Sequence, residues 1–251
     1  MSGTRSPHLR WIALAGFAAL AGAAAAQTTG LPKISIGVEQ AQGDEVAVSL
    51  QILALLTVLS LAPAILILTT AFTRIVIIFS FVRTALGTPS IPPNQVLVGL
   101  SLFLTFFVMG PTYRQIQQDA LQPYLAKQIP LDQAVARAER PVRTFMLKNT
   151  YEKDLILFVN LSGQKNPTRD NVPLTTLIPA FVISELKTAF LVGFYIFVPF
   201  LIIDLIVASA LMSMGMMMLP PTVVSLPAKL LVFVLADGWS TLVAAILSGY
   251  R

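Results

Sequence analysis

The chain has 251 residues, of which 55% are hydrophobic and 12% charged, with a formal net charge of +5. Ordinary globular domains carry about 25% charged residues, so this balance excludes an ordinary soluble domain and points to an integral membrane protein. The lack of cysteine and the single histidine, His8, exclude disulfides, thiol catalysis and Cys-ligated metal sites, and no basic run interleaved with aromatics offers a nucleic-acid surface.

Residues 1–26 carry Arg5 and Arg10, a short apolar run from Trp11 to Leu20, and Ala24-Ala25-Ala26 before Gln27. This is the pattern of a cleaved secretory signal peptide. The alternative is a first membrane anchor, but the apolar run is too short to cross about 30 Å of hydrocarbon. Cleavage would remove His8. Residues 27–45 read as a short exported N-terminal arm.

Val46 to Phe72 is the first predicted span, with Pro63 as a kink that neighbouring helices must tolerate. No charged side chain occurs between Glu45 and Arg74. The stretch TRIVIIFSFVRTALGTPSIPPNQ that follows contains Arg74 and Arg83 and no acid. It reads as a loop, and the positive-inside rule puts it in the cytoplasm, consistent with an exported mature N-terminus. After Pro89, Pro92 and Pro93, the apolar run from Val96 to Met109 is only 14 residues, a length expected of a protein-buried or re-entrant segment. Residues 46–110 thus make the first two hydrophobic helices with an Arg-containing cytoplasmic loop.

Residues 111–173 form the one substantial polar region. Leu131, Val135, Ala138, Val142, Phe145 and Met146 recur at helical spacing, while Pro123, Pro130, Pro141 and the loop GQKNPTRDNVP punctuate it. Two or three short amphipathic helices are expected, on the periplasmic side. A region this long largely escapes the positive-inside rule, so its nine basic residues do not oppose that placement.

Residues 174–251 return to apolar sequence. Leu174 to Ala210 is interrupted by Glu185, Lys187 and Asp204, then comes SMGMMMLPP. Met212, Met214, Met216, Met217 and Met218 are five of the chain's eight methionines. Pro220, Pro221 and Pro227 are expected to break the helix, and Leu230 to Leu247 to form a last one holding Asp237. The fold class expected is an all-α integral membrane protein with about four hydrophobic, proline-broken helical segments plus a small helical periplasmic-side domain.

Sequence patterns for catalysis are missing: no His-x-x-x-His, Cys-x-x-Cys, Gly-x-Ser-x-Gly or Gly-rich phosphate loop occurs, so neither an enzyme nor a cofactor is expected. Glu185, Lys187, Asp204, Lys229 and Asp237 are charges within apolar helices, where an ion must be paired or face water. Glu185 and Lys187, two apart, point to different faces, so each needs a partner on another helix or subunit. A proton or ion relay is one reading; structural glue between helices or protomers is favoured, because acids and bases are both at hand. The methionines are either flexible core filler or a soft cavity-lining loop. Consecutive Met216, Met217 and Met218 would fan around a helix axis, and they sit directly before prolines, where irregular backbone is tolerated if it lines a cavity.

The block IPAFVISELKTAFLVGFYIFVPFLIIDLIVASALMSMGMMMLPPTVVSLPAKLLVFVLADGW (178–239) closely resembles the FliP family of flagellar biosynthesis proteins of the bacterial type III export gate. LAPAILILTTAFTRIVIIFSFVRTALGTPSIPPNQVLVGLSLFLTFF (61–107) is similar to that family's other strongly marked block. The resemblance implies a ring of five copies completed by a FliR-type subunit, surrounded by FliQ-type subunits and working with FlhA/FlhB-type export proteins. It implies a narrow channel in the flagellar basal body of the inner membrane, passing unfolded flagellar subunits. It further implies that Met216, Met217 and Met218 form a pore gasket beside Pro220, Pro221 and Pro227, and that Glu185, Lys187, Asp204, Lys229 and Asp237 make interhelical contacts. The injectisome counterpart shares both blocks; the signal peptide favours the flagellar branch. A small-solute or proton-coupled transporter using Glu185 and Asp204 is the alternative of a different class.

Overall fold

A computed structural model describes residues 43–163, 171–216 and 218–250, with side chains from residue 49 onward. The expected signal peptide (1–26), most of the N-terminal arm (27–45), most of the 163–173 loop and Met217 lie outside the described residues. The chain divides into two compact units, Met1–Leu55 and Leu56–Arg251.

In the first unit the described part is the N-terminal half of α1 (Gly43–Thr69), on which Leu50, Ile52, Leu53 and Leu55 are all exposed. A helix apolar all round suits lipid or a protein-lined membrane site rather than water. The whole apolar stretch, Ser49–Thr69, is long and apolar enough to cross a membrane.

The second unit opens with the end of α1. There the Thr69 and Thr70 hydroxyls donate to the Ile65 and Leu66 carbonyls at 2.8 and 2.7 Å, taking up groups that a helix end leaves orphaned. The stretch read as a cytoplasmic loop is instead α2 (Phe72–Ala85), a helix in the core. Ile75, Ile78, Phe79 and Val82 are buried at i, i+3, i+4 and i+7, a helical stripe. Gly87, at φ +75, ends the segment in the left-handed region that glycine enters freely.

α3 (Asn94–Leu125) corrects the short-segment reading of Val96–Met109. It is one 32-residue helix, long enough to span, carried through Pro111 and through a π-helical turn at Gln117–Leu121. The polar region read from residue 111 onward therefore begins inside it. Leu97, Ser101, Thr105 and Met109 form its buried stripe, while Phe103, Phe106 and Phe107 are exposed on the other side. The buried Ser101 and Thr105 hydroxyls donate to the Leu97 and Ser101 carbonyls, both at 2.6 Å, so neither is left unsatisfied.

Two amphipathic helices follow, α4 (Leu131–Lys148) and α5 (Glu152–Leu161), as the periodicity of the polar region predicts. α6 (Leu174–Ser213) is a 40-residue helix with Pro179 and Pro199 inside it. At 1.5 Å per residue it is about 60 Å long, twice a hydrocarbon core of about 30 Å. Its first turns pack Leu177, Ala180 and Phe181 on Met146, Leu147, Leu155 and Val172. Farther along, Ala189 and Phe200 join the core built on α2 with Leu97, Phe233, Leu242 and Ile246.

The last hydrophobic helix expected from Leu230 to Leu247 is two helices, α7 (Pro221–Leu235) and α8 (Gly238–Ser248), bent by 63°. Asp237 sits at the break with φ +46. Pro220 and Pro221 do start a new helix, but Pro227 lies within α7 rather than breaking it. Among the described residues the fold is all-α, with three helices able to span a membrane, or four if α7 and α8 count as one broken span.

Candidate functional site

The methionine cluster closes α6. Leu211 is buried, while Met212 and Met214 are exposed. The helix ends because Gly215 adopts φ +74. The Met216 N–H still reaches back to the Leu211 carbonyl at 3.0 Å and Gly215 N–H to Met212 at 3.1 Å, a glycine-centred stop in which left-handed backbone satisfies the last carbonyls. Pro220 in extended backbone then precedes Pro221 at the start of α7, where its missing N–H costs nothing. Between these two fixed points Met216 is 43% and Met218 98% exposed. The arrangement is a short turn of projecting thioether side chains, anchored at both ends.

Three ion pairs tie the helices to one another. Glu185 is fully buried and forms a two-pronged pair with Arg74 of α2, one prong from Nε to Oε2 at 2.9 Å and the other from Nη2 to Oε1. The same guanidinium donates to the Gly249 carbonyl at 3.3 Å and lies 4.0 Å from the centre of the Tyr250 ring. The Tyr250 hydroxyl donates to Glu185 at 2.7 Å. Planar, bidentate pairing is the geometry an arginine supports and a lysine does not.

Lys187 faces elsewhere, as the two-residue spacing requires, and pairs with Asp154 of α5. Lys187 is 58% exposed while Asp154 is buried. Ser184 donates to the other Asp154 oxygen at 2.8 Å and accepts the Tyr151 N–H at 3.0 Å. Burial pushes the Asp154 carboxyl up, but the hydrogen bonds from Lys187 and Ser184, with the Lys187 charge, outweigh it and hold the group below the ordinary carboxylate value.

Asp204 of α6 pairs with Lys229 of α7 at 2.6 Å and accepts from Ser225 at 2.5 Å. Lys229 also donates to the Ala85 carbonyl at the end of α2 at 3.2 Å, so one ammonium joins three helices and meets the negative end of one of them. Asp237 differs from the other four. It is exposed, and its carboxylate accepts only from Ser240 at 3.0 Å, so within one chain it is neither buried nor paired with a base among the described residues.

Arg74, Asp154 and Tyr250 went unnoticed as site residues. Arg74 had a signal, since a basic residue framed by Phe72, Ile75 and Val76 is costly unless paired. Tyr250 had none. Among the described residues no group of three or more His, Cys, Asp or Glu could hold a metal ion, and no buried side-chain nitrogen or oxygen lacks a hydrogen-bond partner.

The family model described as the FliP family matches residues 55–246, a stretch that contains all three ion pairs and the methionine turn. The chain is similar to the flagellar biosynthetic protein FliP of Bacillus subtilis strain 168, with 57% identity over 208 residues, 82% of this chain and 94% of the relative. It is similar to the protein of that name from Pectobacterium carotovorum subsp. carotovorum, with 51% identity over 209 residues, 83% of this chain and 81% of the relative. A third, from Cereibacter sphaeroides, is 48% identical over 253 residues, covering 98% of this chain and 83% of the relative.

Proposed function

The chain belongs to the FliP family, and on that premise we propose that it is a pore-forming core subunit of the flagellar protein-export gate in the bacterial inner membrane. It assembles with further copies of itself, five in the expected ring, and with FliQ-type and FliR-type subunits, in reach of FlhA/FlhB-type proteins. Unfolded flagellar subunits pass through the ring. As an export component it is a transport protein rather than an enzyme, and needs no cofactor.

The observation that carries this reading is the match across residues 55–246, with relatives named flagellar biosynthetic protein over most of their length. The geometry supports the pore in two ways. Met216 and Met218 project from a turn held by Gly215 and Pro220-Pro221, and soft unbranched thioethers can seal a gap and still deform. The 40-residue α6, about 60 Å long, needs more than a bilayer around it, as a protein ring would supply. A proton-coupled transporter is less well supported, because Glu185 and Asp204 are already neutralised by Arg74 and Lys229.

The test is complementation. A strain lacking this gene is expected to be non-motile and to secrete no hook or filament protein; the intact chain restores both. Normal secretion without it would sink the proposal.

A further inference from the structure

The apolar helices α2, α6, α7 and α8 and the corner between the last two carry seven described charges: Arg74, Arg83, Glu185, Lys187, Asp204, Lys229 and Asp237. Glu185 takes Arg74, Asp154 of α5 takes Lys187, and Asp204 takes Lys229. Of these seven, one base and one acid are left without an opposite charge among the described residues, Arg83 and Asp237. Arg83 makes only neutral contacts, from Nη1 to the Asn94 side-chain oxygen and to the Pro92 carbonyl at 3.4 Å. An unpaired ion in membrane-type surroundings is costly and calls for a counter-charge.

Both residues stand in exposed apolar patches. Ile91 and Val96 flank the Arg83 contacts, and Val234 and Leu235 precede Asp237; all four are exposed. The two also lie at similar levels along the bundle. α2 runs beside α6 in the same direction, since Arg74 meets Glu185 and Phe81 meets Phe190 farther along both. The Trp239 ring lies 6.4 Å from that of Phe79, tilted by 54°, which puts the Asp237 corner at the Phe79 level. Arg83 is one helical turn on, about 6 Å along the axis, within reach of an arginine side chain. A copy rotated about an axis along the spanning helices keeps its level, so the corner of one copy can meet the α2 end of the next.

We infer that Arg83 of one copy pairs with Asp237 of the neighbouring copy, through a head-to-tail contact bounded by Ile91 and Val96 on one side and Val234 and Leu235 on the other. The contact uses two different patches, so it can repeat around a ring. The inference rests on the homo-oligomer part of the proposed function and adds the residues that join the copies. It also explains why an aspartate occupies a left-handed corner beside exposed leucine and valine: the strained turn presents the carboxylate outward.

The natural chain has no cysteine, so Arg83→Cys/Asp237→Cys can be cross-linked cleanly in membranes with a short bis-maleimide linker. A ladder of linked copies is expected from the double variant and none from either single variant. Separately, Arg83→Glu and Asp237→Arg are each expected to lower oligomer yield roughly tenfold, as a lost coupled pair would, and the double swap to restore most of it. A multimer by native mass without a ladder and without rescue overturns the pairing and leaves the proposed function standing. A chain recovered only as single copies overturns both.

Discussion

Arg74 and Glu185 lie 111 residues apart in sequence and meet as a bidentate pair with no solvent-exposed atoms on the carboxylate side. α2 is fixed to α6 at this point, and the chain's penultimate residues close over it. Breaking a buried pair from one side leaves an unpaired charge and costs about 3–5 kcal/mol. Arg74→Ala and Glu185→Ala are therefore expected to lower the detergent-solubilised melting temperature sharply. The double variant should be less damaged than the sum of the two, because no lone charge remains. Additive losses in a thermal-shift cycle would argue that the two side chains act independently.

Tyr250→Phe isolates the hydroxyl. The ring keeps its place over Arg74 and its stack on Phe145 at 6.0 Å, while the hydrogen bond to Glu185 at 2.7 Å is lost. Hydrogen bonds to charged groups contribute about 1.5–3 kcal/mol, so a loss in that range is expected, and a larger one for Tyr250→Ala. A C-terminal truncation that removes Tyr250 should behave like the alanine variant in the same melting assay.

Gly193 is a contact point, not a flexible joint. It sits in mid-helix on α6, and an added Cβ would lie 2.5 Å from two Phe81 ring atoms and 3.0 Å from the Phe81 Cβ. Gly193→Ala is expected to cost about 1–3 kcal/mol by overpacking, despite alanine's better helix propensity. Phe81→Ala in the same chain removes the two atoms at 2.5 Å and should relieve the overlap, so the double variant is expected to fall short of the sum of the two single losses. A stabilised Gly193→Ala would show that the two helices separate freely there.

Much of this architecture is legible in the residues. α1 follows from an uncharged apolar run, α4 and α5 from amphipathic spacing, and the separate partners of Glu185 and Lys187 from their two-residue offset. α2 was read as a loop because Arg74 and Arg83 look like solvent charges. Its helical stripe of Ile75, Ile78, Phe79 and Val82 was present, but the counter-ion that makes Arg74 affordable lies 111 residues away. α3 reads as ending at Met109 because the apolar run stops there; the helix continues through Pro111, which forfeits one helix bond, into polar sequence. The corner between α7 and α8 rests on Asp237 at positive φ. Aspartate is enriched in that region and Asp237-Gly238 is a turn-marking dipeptide, but the apolar residues on both sides outweigh it in a reading of one helix from Leu230 to Leu247. In the methionine turn the residue types and the prolines were legible, but the outward direction of Met212 and Met214 was not.

The Asp154 cluster makes a pH-dependent contribution. Its carboxyl is held below the ordinary value in the folded chain, so the folded state favours the ionised form. The stabilisation is complete above the ordinary aspartate value of about 3.9, and is lost as pH falls through the lower folded value. Asp154→Asn is expected to be less stable at neutral pH and to flatten the acid limb of a melting-temperature profile. Parallel acid limbs for the two proteins would place the titration elsewhere.

Under the proposed pore function, substitutions in the methionine turn separate size from softness as the basis of a seal. Met216, Met217 and Met218 replaced by alanine lose side-chain length, so small-solute leak through the membrane is expected to rise severalfold while export continues. Replaced by leucine they keep nearly the same volume but lose the unbranched, polarizable chain that adapts to irregular surroundings. A leucine turn is therefore expected to hold solutes back as well as the natural one and yet to slow secretion of filament protein, because branched side chains part less readily around a passing polypeptide. Leak in the alanine variant with normal export in the leucine variant would mean that bulk alone matters. Unchanged leak and unchanged export in both would reduce the cluster to packing, since Met218, 98% exposed in a single chain, would then only be covered by a neighbour rather than line a passage.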